Sequence, residues 1–331
     1  MSKSGANIGG KTDVLAAVEK NEKYHGGEAE ESKENSTDMA NKYYDIATRL
    51  YEYQWGESFH YAHRWKGESL RESIKRDEHF LAMQLALKPG YKVLDVGCGI
   101  GGPMREIARF CNVSVTGLTN NEYQITRGKK ENQLTGLDQT CNFVKADFMN
   151  MPFPDNSFDA VYAIAATCYA PDLYECYKEI YRVLKPGKHF AFHEWCLTDA
   201  FNPNNDEHKK IKKEIETDYA LPELRPATKC LEAMKQAGFE VICDKNLAKD
   251  SPVPWYLPVD ASQFSLFSLR VSPVGRFLTH ILIKVLECVR IFPEGTHRIQ
   301  TMLEKATSEL VNAGKKEIFT PIYFVLAQKP E

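Results

Sequence analysis

The residues best suited to chemistry sit where an apolar run gives way to glycine: Asp95 within Val93–Val96, then Gly97, Gly99, Gly101 and Gly102. Behind them Met104, Ile107 and Ala108 recur at helical spacing, so the loop joins a buried strand to a helix. Glycines there let the backbone approach a ligand that a Cβ would push away, and the helix N-terminus favours an anionic group while the acid favours a cationic one. Gly97, Gly99 and Gly102 meet the G-x-G-x-x-G spacing, which alone is a weak signal; a further glycine at 101 sets this loop apart, and no dinucleotide pyrophosphate is expected.

Further candidates follow in order. Thr119 and Gln124 fall after a second strand, and Asp147 with Phe148 after a third, where hydroxyl, amide and carboxylate groups can bond a ligand's edge. His193 and Glu194 end a later strand as base candidates, Tyr169 is a hydroxyl donor, and His60 lies among aromatics. His60 and His63 stand three apart without a carboxylate or cysteine to complete a set, so no metal is expected. Tyr51, Tyr53, Trp55, Phe59, Tyr61 and Trp65 supply large flat surfaces for a rigid apolar ligand.

The elements that must position these groups alternate. Strands are predicted over Val93–Val96, Val113–Leu118, Asn142–Lys145, Phe158–Ile164 and His189–Trp195, with helices over Met104–Phe110, Glu122–Leu134 and Tyr174–Leu184 between them. Such a rhythm predicts an α/β fold with a parallel sheet and right-handed crossovers. Helices near Glu207–Glu216 and Lys229–Ala237 and a strand at Phe239–Cys243 follow. Ser251–Pro258 is proline-rich and reads as a linker, Gly275–Phe292 as a helix whose apolar stripe faces the core, with a lipid-pocket wall or a membrane-surface helix as the alternatives, and Ile318–Ala327 as a last strand. Before all of these, helices are expected over Met39–Tyr53 and Leu70–Leu87. The Lys-, Glu- and Ser-rich start is expected to be a tail without a core.

Bulk properties narrow the function. A net charge of −3 over 331 residues is no footprint for nucleic acid. Nine dispersed cysteines without CxxC spacing read as reduced thiols, and no secretion signal or membrane-spanning run is evident, so a cytoplasmic protein is expected.

The strand ending in LDVGCGIGGP resembles motif I of the class I S-adenosylmethionine-dependent methyltransferases, and MPFPDNSFDAV and RVLKPGKHF are tracts common in that class. Together with YEYQWGESFHYA, YAIAATCYAP, GFEV, HEWCLTDAFNPNNDEHKKIKKEIE and IFTPIYFVLAQKP, the chain from about Tyr43 onward resembles the sterol C-methyltransferase family. The resemblance implies a class I methyltransferase (Rossmann-like), doubly wound, mostly parallel sheet with an N-terminal helical lid and a C-terminal α+β region. It divides the chain into a tail (1–38), a lid (39–90), a cofactor domain (91–250) and a C-terminal region (251–331). S-adenosylmethionine is then expected at Asp95, Gly97, Gly99, Gly101, Thr119, Gln124, Asp147 and Phe148, with Asp147 at the adenine. A sterol is expected against Tyr51, Tyr53, Trp55, Phe59 and Ala165, and catalysis from Tyr169, His193, Glu194 and His60.

The chain departs from the pattern of the side-chain-methylating members. Ala165 stands where they carry an acid, Tyr169 where His is usual, Gln54 for Gly, and Asp218-Tyr219-Ala220-Leu221-Pro222 for G-N-G-L-P. Methylating the carbon 24 alkene leaves a cation, whereas methylation beside a ketone passes through an enolate that needs a base and a donor. Ala165 and Tyr169 therefore point to methylation at carbon 4 of a 3-keto sterol. Carbon 24 stays as the alternative, with Glu194, Asp45 or Glu52 as the anion, beside another triterpenoid acceptor and a non-catalytic sterol binder. A related enzyme acting on phosphoethanolamine, a tocopherol precursor or an acyl chain would call for a lid poorer in aromatics. A homo-oligomer and peripheral contact with the endoplasmic reticulum membrane are left open.

Overall fold

The structure is a computed structural model that describes Thr48 and residues 51–52, 55–260, 273–289 and 296–331. The tail and most of the helix expected over Met39–Tyr53 lie outside the described residues.

Helix α1 (Leu70–Gln84) opens on a capping box in which Ser69 and Glu72 satisfy each other's backbone N–H. Then β1 (Lys92–Val96), α2 (Gly102–Cys111), β2 (Ser114–Thr119), α3 (Glu122–Leu134), β3 (Cys141–Lys145), β4 (Phe158–Ile164), α4 (Leu173–Val183) and β5 (Leu184–Leu197) follow. Asn121 and Asp172 cap α3 and α4 by accepting from backbone N–H groups of the first turn. After β5 come α5 (Asp206–Asp218), α6 (Ala227–Gln236), β6 (Glu240–Asn246), α7 (Pro273–Cys288), α8 (Thr296–Lys315) and β7 (Phe319–Gln328).

The seven strands form one sheet in the order β3-β2-β1-β4-β5-β7-β6. Strands β1 to β5 pair in parallel, as the alternation predicts. The last strand enters antiparallel between β5 and β6, with Ala191 opposite Leu326 and Asp244 opposite Val325. A boundary at residue 250 therefore falls between strands of a single sheet. Successive residues of a strand serve opposite faces. Leu94 joins Tyr177, Ile180 and Met234 on one side, while Val93 joins Leu81, Met104 and Ile107 on the other. A third cluster gathers Tyr61, Ile211, Ile215, Leu310 and Ile322.

Two expectations need correction. Ser251–Pro258 is not a free linker: Val253 bridges Arg64, and Trp255 is buried edge-on to Tyr61, with ring centroids 4.9 Å apart. The stripe expected to face the core from Gly275–Phe292 faces outward: Phe277, Leu278, Ile281, Leu282 and Val285 on α7, and Val289 just past its end, are exposed. The core-facing expectation fails and the surface alternative remains, because periodicity gives a stripe without saying what covers it.

Candidate functional site

At the C-terminal ends of β1, β2 and β3 the chain turns into the loops that bound a cavity. Gly97 and Gly99, both with positive φ (77° and 54°), carry the loop after β1 along its wall. The Gly97 N–H and the Cys98 N–H both donate to Leu118 O, which pins that loop to β2. A Cβ on Gly97 would fall on Ala166 Cβ, so the loops after β1 and β4 touch only because residue 97 has none.

Thr119, Asn120, Asn121 and Gln124 line the cavity next. Thr119 Oγ1 donates to Gln124 Oε1 (2.8 Å) and Gln124 Nε2 donates to Thr48 Oγ1 (3.3 Å), so these polar groups are already oriented. Asp147 and Phe148 line it beyond β3, with Asp147 Oδ1 accepting from Met149 N at 2.9 Å. Six of the expected cofactor residues (Gly97, Gly99, Thr119, Gln124, Asp147 and Phe148) thus share one wall.

The other two lie behind it. Gly101 caps α2 at φ 80°, where a Cβ would meet Met104 Cε at 2.7 Å and Phe143 Cζ at 2.8 Å, so its lack of a side chain serves helix packing. Asp95 is buried within the sheet and accepts a hydrogen bond from the Tyr162 hydroxyl at 2.9 Å. Burial pushes its carboxyl up to about 7; the Tyr162 donor opposes this and the Glu78 charge adds to it. A folded value above the ordinary 3.8 means the fold favours the protonated acid, so this group's contribution to stability falls as pH rises through that window. Asp95→Asn stays neutral and is expected to lose less melting temperature than the parent, by a few degrees, between about pH 5 and about pH 8. Scanning calorimetry at the two pH values checks it, and parallel pH profiles would rule out the buried charge as the cause.

The cavity is also lined by aromatics, Tyr51, Trp55, Phe59 and Tyr61 from the lid, Trp195 near the end of β5 and Tyr219 after α5. Trp55 meets Tyr61 edge-on (5.0 Å) and Trp195 meets Tyr219 and Phe319 edge-on (5.0 and 5.3 Å), which fixes the ring planes. Tyr53 and Gln54 lie outside the described residues. Trp65, expected with the other aromatics, is 54% exposed and stands edge-on to His63. Ala165 lines the cavity with φ 50°, its N–H donating to His193 O at 2.8 Å.

Of the catalytic candidates, two reach the wall. Tyr169 lines it, and its hydroxyl donates to Tyr219 O (3.0 Å). His60 lines it too, with Nδ1 2.9 Å from Tyr61 O and Nε2 3.4 Å from Glu78 Oε1. Both partners accept, which favours the doubly protonated ring. Burial opposes that charge, but Glu78 and Asp77 outweigh it and hold His60 above its ordinary pKa.

The other two candidates do not reach it. His193 turns toward α1, its ring parallel to Phe80 and its Nδ1 2.9 Å from Asp77 Oδ2. Glu194 turns to the opposite face, accepting from Thr167 Oγ1 and from Trp195 N, and burial raises its pKa against those two donors. After the irregular register between Glu194 and Cys196, the strand presents Trp195 to the cavity. Glu52 is equally withdrawn, since Arg127 Nε donates to it at 2.7 Å; Asp45 lies outside the described residues.

The lid closes over the loop after β1 through charged clasps. Arg105, fully buried, donates to Glu57 Oε2 from Nη2 (2.7 Å) and Nε (3.1 Å). Ser58 Oγ donates to Glu78 Oε1 at 2.7 Å. A Cβ on Gly102 would strike Glu57 O, so the lid's main chain crosses the first turn of α2 at the one place without a side chain. Tyr219 and Thr307 were missed as cavity residues in the sequence. Tyr219 stood within a tract noted as altered, whereas Thr307 carried no local signal at all.

The cavity suits S-adenosylmethionine: glycines that leave backbone space, Asp147 and the Thr119–Gln124 pair for hydrogen bonds, and Phe148 for a flat ring.

Comparison with known proteins agrees. Residues 94–192 match the model of a methyltransferase domain and residues 266–331 that of the sterol methyltransferase C-terminal region. The chain is 68% identical over 332 residues to cycloartenol-C-24-methyltransferase of Arabidopsis thaliana, covering 98% of this chain and 99% of that protein. It is 42% identical over 351 residues to a sterol 24-C-methyltransferase of Saccharomyces cerevisiae, covering 99% and 92%. Among solved structures it is similar to geranyl diphosphate C-methyltransferase from Streptomyces coelicolor A3(2), with a TM-score of 0.62, 17% identity and coverage of 90% and 98%. A putative sarcosine dimethylglycine methyltransferase from Galdieria sulphuraria has a TM-score of 0.66, 22% identity and coverage of 85% and 97%. These two likenesses concern the fold.

Proposed function

This chain belongs to the sterol methyltransferase family and is an S-adenosylmethionine-dependent sterol methyltransferase, and we propose that the carbon it methylates is carbon 24 of a cycloartenol-like side chain. The observation that carries this reading is the chemistry of the aromatic lining. It is built from Tyr51, Trp55, Tyr61, Trp195 and Tyr219, and among the described residues that line the cavity Asp147, after β3, is the only carboxylate. A wall of ring faces suits positive charge and offers little to an enolate.

Bound S-adenosylmethionine supplies an electrophilic methyl group carried on a sulfonium. Gly97, Gly99, Thr119, Gln124, Asp147 and Phe148 would hold it at the strand tips. The alkene electrons of the side chain would form the new carbon–carbon bond as the methyl–sulfur bond breaks and its electron pair stays on sulfur; the positive charge passes to the sterol, which then gives up a proton to solvent as the site opens. Trp195 and Tyr219 meet that charge with electron-rich faces. Tyr169, by donating to Tyr219 O, holds the Tyr219 backbone in place. The clasps from Glu57 and Glu52 exclude water by keeping the lid closed.

Carbon 4 methylation, the reading favoured by Ala165 and Tyr169 in the sequence, loses support. It needs a base at the wall to form the enolate before the methyl moves, and a donor to hold the enolate oxygen. His193 and Glu194 lie behind the wall, both nitrogens of His60 face acceptors, and the Tyr169 hydroxyl already donates to a carbonyl. The two relatives that span the chain also carry carbon 24 in their names. Incubation with isotopically labelled S-adenosylmethionine and either cycloartenol or a 3-keto sterol tests the proposal. Label in the side-chain fragments of cycloartenol is expected by mass spectrometry; label on ring A would sink it.

A further inference from the structure

We propose that the exposed face of α7 docks on a lipid bilayer from which the sterol enters the cavity. The proposal rests on the sterol reading for its purpose and on α7 for its geometry.

Of the eleven large apolar side chains exposed among the described residues, six lie on this one segment: Phe277, Leu278, Ile281, Leu282, Val285 and Val289. At 3.6 residues per turn they form one continuous stripe. The polarity of the helix is inverted relative to an ordinary surface helix. Its inward face carries polar groups that hold α8: His280 Nδ1 lies 2.7 Å from His297 Nε2, His280 Nε2 lies 3.2 Å from Glu304 Oε2, and Glu287 Oε1 accepts from His297 N at 2.8 Å. Only Ile283 is an apolar residue that α7 buries, among its described side chains. A helix that spends its hydrogen-bonding side chains inward and leaves large apolar groups outside is built for an apolar medium, not for water.

Three observations select a bilayer as that medium. Sterols are insoluble in water and reside in membranes, so the cavity must be loaded from one. The helix that α7 grips, α8, supplies Thr307 to the cavity wall, which places the stripe beside the site. Lys284 is exposed at the edge of the stripe, where an ammonium reaches lipid phosphates while its stem stays on the apolar face. No helix among the described residues is long and apolar enough to cross a membrane, so α7 lies in the interface rather than spanning it.

The test is flotation of the full chain with phosphatidylcholine–phosphatidylserine vesicles, comparing the parent with the double variant Ile281→Ser/Val285→Ser. Vesicle binding is expected to weaken about tenfold per side chain. Methyl transfer is measured in parallel on sterol held in vesicles and on sterol carried by cyclodextrin. The variant should raise the apparent KM for vesicle sterol about a hundredfold, in step with the lost binding, and leave turnover of cyclodextrin-carried sterol within about twofold. Unchanged flotation overturns the proposal. So does unchanged flotation with a shift from dimer to monomer by light scattering, which would assign the face to a second copy. If the parent methylates no sterol in either form yet only the variant loses flotation, docking stands and the sterol reading fails. Leu282→Lys, at a half-exposed position, repeats the comparison if the double variant melts early.

Discussion

Trp195→Leu is expected to lower turnover about 30-fold while leaving S-adenosylmethionine affinity unchanged, because it removes a ring face from the wall and keeps an apolar side chain there. The indole of Trp195 lines the cavity and is held by edge-on contacts with Tyr219 and Phe319, so its ring needs no further ordering to act there. A cation developing in a site without water gains about 2 kcal/mol or more from such a face, and leucine has no quadrupole to replace it. The loss belongs to the charged transition state, so kcat should fall while KM for the sterol moves little. Trp195→Phe, which keeps a smaller ring, should recover part of the rate. Steady-state kinetics on cycloartenol with product identified by mass spectrometry is the measurement. Equal turnover for the parent and the leucine variant would mean that the charge is met elsewhere.

Gly97→Ala is expected to cost about 2–5 kcal/mol of stability and about 100-fold in kcat/KM. Two costs add at this residue. Its φ of 77° is left-handed, which an alanine adopts only with strain, and its new Cβ would overlap Ala166 Cβ. Relief requires the loops after β1 and β4 to part, and both line the cavity, so the methyl donor and acceptor lose their alignment. Gly136→Ala is the control: φ is 67°, nothing lies within 4 Å of the added carbon, and only the backbone strain of about 1–2 kcal/mol should appear. Thermal melting and calorimetric titration with S-adenosylmethionine separate the two variants. If both lose cofactor binding alike, the close approach of the two loops is not what matters at residue 97.

Much of this molecule is legible in short stretches of its sequence, where the governing interactions are local. The strand, glycine loop and helix around Asp95 can be read because burial period and turn chemistry act over a few residues. The same holds for β1 to β4 and α2 to α4, and for the six cavity residues that stand directly at strand ends. Asp95 and Gly101 belong to the same motif but perform its packing: one is hydrogen-bonded beneath the loop and the other clears space for Met104 and Phe143.

What the tertiary structure decided concerns faces and partners. His193 and Glu194 are adjacent on a strand tip, and only the layers above and below β5 determine that one turns to Asp77, the other to Thr167, and neither to the cavity. The C-terminal strand has an apolar run that fits any sheet position, and its place between β5 and β6 follows from pairing with residues far away in the chain on both sides. Trp255 sits in a proline-rich tract that reads as a linker, yet Tyr61 and Phe319 bury it. The stripe on α7 is plain in the sequence, and its outward direction is set by polar contacts with α8 that no period reveals. The sequence by itself therefore determined that a methyl group moves and which strand-end residues bound the cavity, because a glycine loop at a strand end is a local device. The surroundings of the acceptor, a wall of aromatic faces drawn from the lid, β5 and the end of α5, were decided only when distant segments packed together.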